Sequence, residues 1–385
     1  EIYTLSLHDA LPIWSALLIE YALEFFVGLA DSIMVASLGE AAISGVSLVD
    51  FLVQLLIFSF SALATGGAVV AGQYLGDKQI DKAQDSATQL VWFSTILSTV
   101  LMILVILLRQ ILIGALFGQI EAEVWHNADM YLYIVALSIP FIAIYNAGAA
   151  IFRTTNNATL PMKVLVICDV LNVVGNAICI YYLGWDVRGV AIPTLISRVL
   201  SALLILHFVV NENYKLHIKR TFKHKFDFNI LKKVLQVGIP YGVENGLFQL
   251  GRVLVLSLVS TFGTMAIAAN SVGYAIGIFS VLPGFAINLG LTAVISNCVG
   301  ANDYEQARYY NKKCLVMVLI SHVVINLIIF ALLPAVLGIY NLSAQTAQMT
   351  TEMVIWHCIF AIVIWPLSFT LPSTFRGAGD SKSVM

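Results

Sequence analysis

Ten long apolar runs, separated by short polar connections, constrain this chain more than any other feature. A hydrocarbon core of about 30 Å is crossed by a helix of roughly 20 apolar residues. Runs of that length lie near residues 14 to 37, 48 to 72, 88 to 116, 128 to 151, 161 to 183, 189 to 210, 234 to 258, 265 to 295, 314 to 338 and 353 to 375. Of the 385 residues, 59% are hydrophobic and 11% charged, far from the balance of a soluble domain. The expected fold is therefore an all-α polytopic membrane protein.

The basic residues give these spans a direction. Sixteen of the twenty lie in the even-numbered connections, among them Lys78 and Lys82, Arg153 and Lys163, seven between Lys215 and Lys233, Arg308, Lys312 and Lys313, and Arg376 and Lys382. The odd-numbered connections hold only Arg109 and Arg188, and Arg198 and Arg252 fall inside spans. Positive charge stays on the cytoplasmic side of short loops, so both ends of the chain are expected there. The basic connection at 211 to 233 reads as a topology anchor that touches anionic lipid and not as a nucleic-acid site. The five cysteines, Cys168, Cys179, Cys298, Cys314 and Cys358, lie in or beside apolar spans without CxxC spacing and read as small hydrophobes.

Residues 1 to 13, EIYTLSLHDALPI, fit no signal peptide, because His8 and Asp9 interrupt the apolar stretch and no basic residue precedes it. They read as a non-native, adapter-like remnant.

The chain repeats itself. A shift of 224 positions superposes Glu20 on Glu244, Gly39 on Gly263, Gly66 on Gly290, Gly76 on Gly300 and Ala83 on Ala307. At a shift of 223, FRTTNNATLPM (152 to 162) falls on FRGAGDSKSVM (375 to 385), matching Phe, Arg and Met. The shift covers six spans, and an even number preserves orientation. The halves are thus expected to be parallel repeats about an axis along the membrane normal, with a cavity between them near the midplane. This gives a first six-helix bundle at 14 to 210, a basic connection at 211 to 233, and a second bundle at 234 to 385 that stops after its fourth span. Twelve spans are expected in a full protein and about ten here.

Acids within apolar spans are costly and usually face a cavity. Glu20, Glu24 and Asp31 lie at i, i+4 and i+11, on one face of the first span. Glu20 and Glu24 also read as interfacial acids. Asp169, Asn172 and Asn176, at i, i+3 and i+7, form a polar stripe on the fifth span, able to orient a proton, coordinate sodium or bond neighbouring helices. In the second half, Glu244, Asn245 and Gln249 are the counterparts, with Arg252 two turns beyond Glu244 as a candidate partner for it. Asp50 and Gln54 read as an interfacial cap. Pro140, Pro161, Pro193, Pro240, Pro283 and Pro366 lie in or beside spans, where each removes a backbone donor and kinks or gates a helix.

The stretch GLADSIMVASLGEAAISGVS (28 to 47), the pair QYLGDKQIDKA (73 to 83) and NCVGANDYEQA (297 to 307), and the pair FRTTNNATLPM and FRGAGDSKSVM together resemble the multidrug and toxic compound extrusion (MATE) transporters. The resemblance covers residues 14 to 385. It implies two bundles facing each other across a cleft in a bacterial inner membrane, with alternating access driven by a proton or sodium gradient. Asp31 occupies the position of the family's coupling acid in the first span, so sodium at Asp31, Asn172 and Asn176 is one form the resemblance suggests. Two departures stand out. Some members carry an acid where this chain has Asn176, which moves attention to Asp169, and many place an acid nearer Phe248 than Glu244. The implied coupling residues are Asp31, Glu20, Asp169, Asn172, Asn176 and Glu244, and the cleft candidates are Gln249, Asn245 and Tyr145. Other aromatics, Tyr131, Tyr133, Phe141, Tyr274, Phe279 and Phe285 with Met265, read either as cleft lining or as packing against lipid.

No GxxxxGK[ST], HExxH or GxSxG run occurs, so an ATP-driven pump, a membrane metalloprotease and a lipase find no support. The expectation is a secondary antiporter that exports organic, drug-like cations in exchange for H+ or Na+, without a cofactor or nucleic-acid partner, and as a monomer. The alternative is a lipid-linked saccharide flippase of the same superfamily, which calls for a more basic interior than Arg198 and Arg252 supply.

Overall fold

The computed structural model describes residues 7–117, 121–219, 226–340 and 342–384. The helices of the first half are α1 (Leu7–Ala36), α2 (Glu40–Gly76), α3 (Ile80–Phe117), α4 (Ala122–Ala136), α5 (Ile139–Thr154), α6 (Thr159–Ala177) and α7 (Arg188–Val209). The second half contains α8 (Phe228–Ser260), α9 (Thr264–Gly300), α10 (Tyr304–Ile339), α11 (Ala344–Trp365) and α12 (Leu371–Gly377). No strand occurs among the described residues. Among the described residues, eight helical segments are long and apolar enough to cross a bilayer, and α4 with α5, bent by 47°, make a ninth. With α1, which carries the three acids, these account for the ten expected runs. At about 1.5 Å per residue, the 37 residues of α2 and of α9 outreach the hydrocarbon core.

Proline positions explain the irregularities. Pro140 occupies the first turn of α5, directly after the bend at Ser138. In the second half, Pro366 opens a π-helical stretch, Pro366–Thr370, that joins α11 to α12. The missing donor is absorbed as a break in one half and as a widened turn in the other.

The internal repeat is written into the backbone. α2 and α9 begin and end at positions 224 apart, each after a glycine with positive φ, Gly39 at 113° and Gly263 at 93°. The turn after α2 places Lys78 at φ 60° and the turn after α9 places Asn302 at φ 58°. The turn after α5 uses Asn156 at 61°, and the one after α12 uses Gly379 at 91°. A left-handed conformation at a non-glycine residue is uncommon, so its recurrence in register marks two copies of one plan.

Small residues bring the two bundles together at the face that carries the basic connections, here called the basic face. A Cβ added to Gly76 would lie 2.0 Å from the Asn297 carbonyl oxygen, and one on Gly300 would lie 2.0 Å from that of Gln73. Gly66 meets Val234 and Gly238 of α8 in the same way. Asn297 donates to the Thr154 carbonyl at 3.1 Å, tying α9 to the end of α5. Toward the opposite face nothing lies within 4 Å of a Cβ built on Gly28, Gly246 or Gly251. The bundles therefore approach backbone to backbone at the basic face.

Helix α1 runs without interruption through Leu7–Ile13, and residues 1–6 lie outside the described residues. In the basic connection, Lys219 pairs with Asp85 at 2.8 Å, and the Lys219 and Asp227 amides bond Thr88 and Gln89. This part of the connection straps α3. Arg220, Lys223 and Lys225 lie outside the described residues.

Candidate functional site

The polar stripe on α6 meets the acid on α1 through Asn176. Asn176 Nδ2 donates to Asp31 Oδ1 at 2.7 Å and to Asn172 Oδ1 at 3.3 Å. Asn172 Nδ2 in turn donates to Thr194 Oγ1 on α7 at 3.0 Å. Asn176 is fully buried and Asn172 nearly so, while Asp31 is half-buried. Asn176 Oδ1 is buried without a partner. An orphaned amide oxygen beside a carboxylate is a place where a small hard cation finds oxygen ligands. A proton on Asp31 would meet the same amides. Thr194 escaped the sequence reading, because a single hydroxyl within a span carries no positional signal of its own.

The other acids of the first bundle separate into two kinds. Glu20 is buried and paired with Arg153 at the end of α5, so its charge is already balanced. Glu24, one turn on, is exposed. Asp169 on α6 is half-buried, with Oδ2 unpartnered. It lies within electrostatic range of Glu24, Asp31 and Glu20. The three carboxylates of α1 thus lie within electrostatic reach of the one on α6.

Asp50 is not a helix cap. Gly39 caps α2 eleven residues earlier, and Asp50 accepts the Tyr131 hydroxyl at 3.0 Å. It belongs to the interior, and Tyr131, 4% exposed, is its donor and not cleft lining.

In the second bundle Glu244 pairs with Arg376 at 3.6 Å. The expected partner, Arg252, instead donates to Gln249 at 3.0 Å and stacks over the Tyr274 ring at 4.3 Å. The physical reason is reach and direction: on a helix two turns separate Glu244 from Arg252, whereas α12 delivers Arg376 beside it, seated over Tyr241 at 4.3 Å. Glu20–Arg153 and Glu244–Arg376 occupy matching places in the repeat. Asn245 and Gln249 are half-buried on the same helix. Tyr145 spends its hydroxyl on the Pro161 carbonyl at 3.1 Å, which ties α5 to α6.

Aromatic contacts bridge the two bundles where the acids lie. Phe25 of α1 meets Phe279 of α9 edge-on at 4.6 Å, and Tyr21 lies 6.0 Å from Phe285. Phe285 contacts Trp365, which stacks on Phe369, which touches Phe248. The sequence singled out Phe279 and Phe285 but missed Tyr21, Phe25 and Trp365, since aromatic residues in apolar spans carry no positional signal of their own.

The family model MatE matches residues 16–178 and 240–385. An uncharacterised transporter from Bacillus subtilis, YisQ, is 24% identical over 94% of this chain and 80% of its own length. The probable multidrug resistance protein NorM of Thermotoga maritima is 23% identical over 95% of this chain and 79% of its own. Among solved structures, an outward-facing multidrug resistance MATE transporter of the MOP superfamily shares the fold with a TM-score of 0.90 at 21% identity, covering 98% of this chain and 83% of that one. With the family model matched on both sides of the basic connection, this chain belongs to the MatE family and is a multi-pass membrane transporter, not an enzyme.

Proposed function

We propose that this protein is a secondary antiporter that exports organic, drug-like cations in exchange for H+ or Na+. The observation that carries this reading is the contact of Asp31 with Asn176 beside an unpartnered amide oxygen. A carboxylate held by neutral amides, with no arginine or lysine within 4 Å among the described residues, keeps its charge for an exchangeable cation. Asp169, Asn172 and Thr194 extend the same space, and Glu244 offers a second, partly balanced acid. Relatives described as multidrug resistance or multidrug export proteins, from Thermotoga maritima and Staphylococcus saprophyticus, support a drug-like substrate class.

The protein works as a monomer in a bacterial plasma membrane, with the basic face and both ends of this chain cytoplasmic. The cleft between the bundles then opens outward, and alternating access consists of parting the glycine contacts at the basic face. Planar cations enter between Phe25, Phe279 and Phe248, where ring faces attract positive charge.

Reconstituted protein tests this directly. Ethidium efflux from proteoliposomes is expected to accelerate when a proton gradient or a sodium gradient is imposed. Efflux indifferent to both gradients would refute the antiport reading.

A further inference from the structure

His322 is wholly buried midway along α10. Its Nδ1 lies 3.1 Å from the Ala361 carbonyl oxygen of α11. A carbonyl only accepts, so Nδ1 carries the hydrogen and Nε2 is left with the lone pair. Nε2 is buried and has no hydrogen-bond partner. Gly284 of α9 makes room for it: a Cβ built there would fall 3.0 Å from Nε2 and 2.2 Å from the Trp365 ring. The indole thus closes over the imidazole, with ring centroids 5.0 Å apart.

A polar frame holds this arrangement in place. Asn326, one turn after His322 and 1% exposed, donates to the Cys358 carbonyl of α11 at 2.9 Å and accepts the Ser280 hydroxyl of α9 at 2.6 Å. The internal repeat breaks here, because the residues 224 positions before His322 and Asn326 are Ser98 and Met102. No carboxylate balances the imidazole. Helix α9 and the π-helical stretch Pro366–Thr370 contain no charged residue. Helix α10 keeps Glu305, Arg308, Lys312 and Lys313 in its first three turns. Helix α11 brings Glu352, which accepts from Gln348, His357, which bonds the Gly277 backbone, and the buried Cys358. Arg376 of α12 is committed to Glu244.

We propose that His322 is a proton-binding site of the second bundle, which takes a proton on Nε2 and, through Trp365, sets the affinity of the aromatic cleft for a cationic substrate. The inference rests on the antiport reading above and adds a proton to whichever ion Asp31 carries. A buried nitrogen without a partner calls for a ligand, and a niche closed by Gly284 and Trp365 admits nothing larger than a proton. Imidazole changes charge in the physiological range. The proton comes from water when the indole swings aside, and Nδ1 keeps Ala361 throughout. Trp365 directly precedes the π-helical stretch, where the regular ladder is already interrupted. Its ring contacts Phe285 at 5.2 Å and stacks on Phe369 at 5.0 Å, and Phe369 touches Phe248 at 5.5 Å. An imidazolium therefore attracts the indole and sets a positive charge behind the rings that receive the substrate, which opposes a second cation there. By linkage, a bound cation expels the proton.

Ethidium binding to the detergent-solubilised protein, measured at about pH 8 and about pH 5.5, tests the proposal. The loss of affinity on acidification is expected to be smaller in His322→Gln than in the wild type by roughly fivefold or more. His357→Gln should keep the wild-type loss. A loss unchanged by His322→Gln, or one abolished by His357→Gln, overturns the proposal. Tryptophan fluorescence without ethidium gives a second readout. The part of the signal removed by Trp365→Phe should be quenched over the same pH range, and that quenching should vanish in His322→Gln; quenching that persists there overturns the proposal. Should His322→Gln fail to fold, Trp365→Phe serves, since it removes the relay: the loss of ethidium affinity on acidification should shrink, and an unaltered loss overturns the proposal. Neither readout uses a gradient, so failure of antiport in proteoliposomes and failure of this inference are separate results.

Discussion

Asn176 on α6 donates its side-chain amide to Asp31 on α1 across 2.7 Å, and this single bond joins the two helices that carry most of the intramembrane acids of the first bundle. The amide is fully buried, so the bond orients Asp31 without neutralising it. A donor without a charge of its own leaves the carboxylate available to a mobile cation, whereas an arginine in the same place would close the site.

Asn176→Leu therefore removes the orienting donor and leaves the acid in place. Hydrogen bonds to charged groups contribute about 1.5–3 kcal/mol, which corresponds to a change of roughly tenfold to a hundredfold in coupling-ion affinity. The expected outcome is a matching shift in the concentration that half-saturates efflux, upward for sodium, which loses the Asn176 oxygen, and downward for H+, which meets a carboxylate no longer held in its charged form, with ethidium binding to the detergent-solubilised protein unchanged. Cation dependence like that of the wild type would show that Asp31 needs no help from α6.

The repeated ion pairs make a stability prediction. Breaking Glu20–Arg153 by Glu20→Leu leaves a buried guanidinium uncompensated, at a cost of about 3–5 kcal/mol. Removing both charges, with Arg153→Leu in addition, should recover most of the loss. The matching pair is looser, because Glu244 and Arg376 are 3.6 Å apart and the Glu244 side chain is 24% exposed. Glu244→Leu is thus expected to lower the melting temperature less than Glu20→Leu does. Thermal unfolding in detergent, followed by tryptophan fluorescence, checks the order.

Close approach of glycines makes a third. A side chain at Gly300 would drive a Cβ into the Gln73 backbone, so Gly300→Val should hold the basic face apart. Gly246→Ala adds a methyl to open space and is expected to be neutral, or to stabilise α8 by up to about 1 kcal/mol. Crosslinking of cysteines introduced at Gln73 and Asn297 reads the closure: efficient in Gly246→Ala and suppressed in Gly300→Val. Equal crosslinking in both would contradict the seal described here.

The fold was largely legible, and the reason is physical. Hydrocarbon leaves so few options that apolar run length alone locates each span, and the repeat of Gly39 at Gly263 and of Gly76 at Gly300 returns in the matched bounds of α2 and α9. Side-chain pairing was less legible. The sequence put Arg252 forward for Glu244 because both lie on one helix, but the true partner, Arg376, arrives from a helix far along the chain. The repeat itself held the answer, since Arg153 and Arg376 superpose at the same shift that aligns the glutamates to within one residue. Asp50 was misread as a cap because its donor, Tyr131, lies on another helix. Thr194 and the aromatic bridge from Phe25 to Phe279 have no signature in one dimension, since a lone hydroxyl or ring in an apolar span is common and only its neighbours give it meaning.

The central claim is that Asp31 passes a cation across the membrane. The decisive measurement is gradient-driven ethidium efflux by Asp31→Asn in proteoliposomes, at matched protein density and with proton and sodium gradients applied separately. An asparagine keeps the size and hydrogen-bonding capacity of the side chain and removes its charge. The account predicts that neither gradient accelerates efflux in the variant, although the protein folds and binds ethidium. Efflux that still responds to the gradient driving the wild type would contradict it.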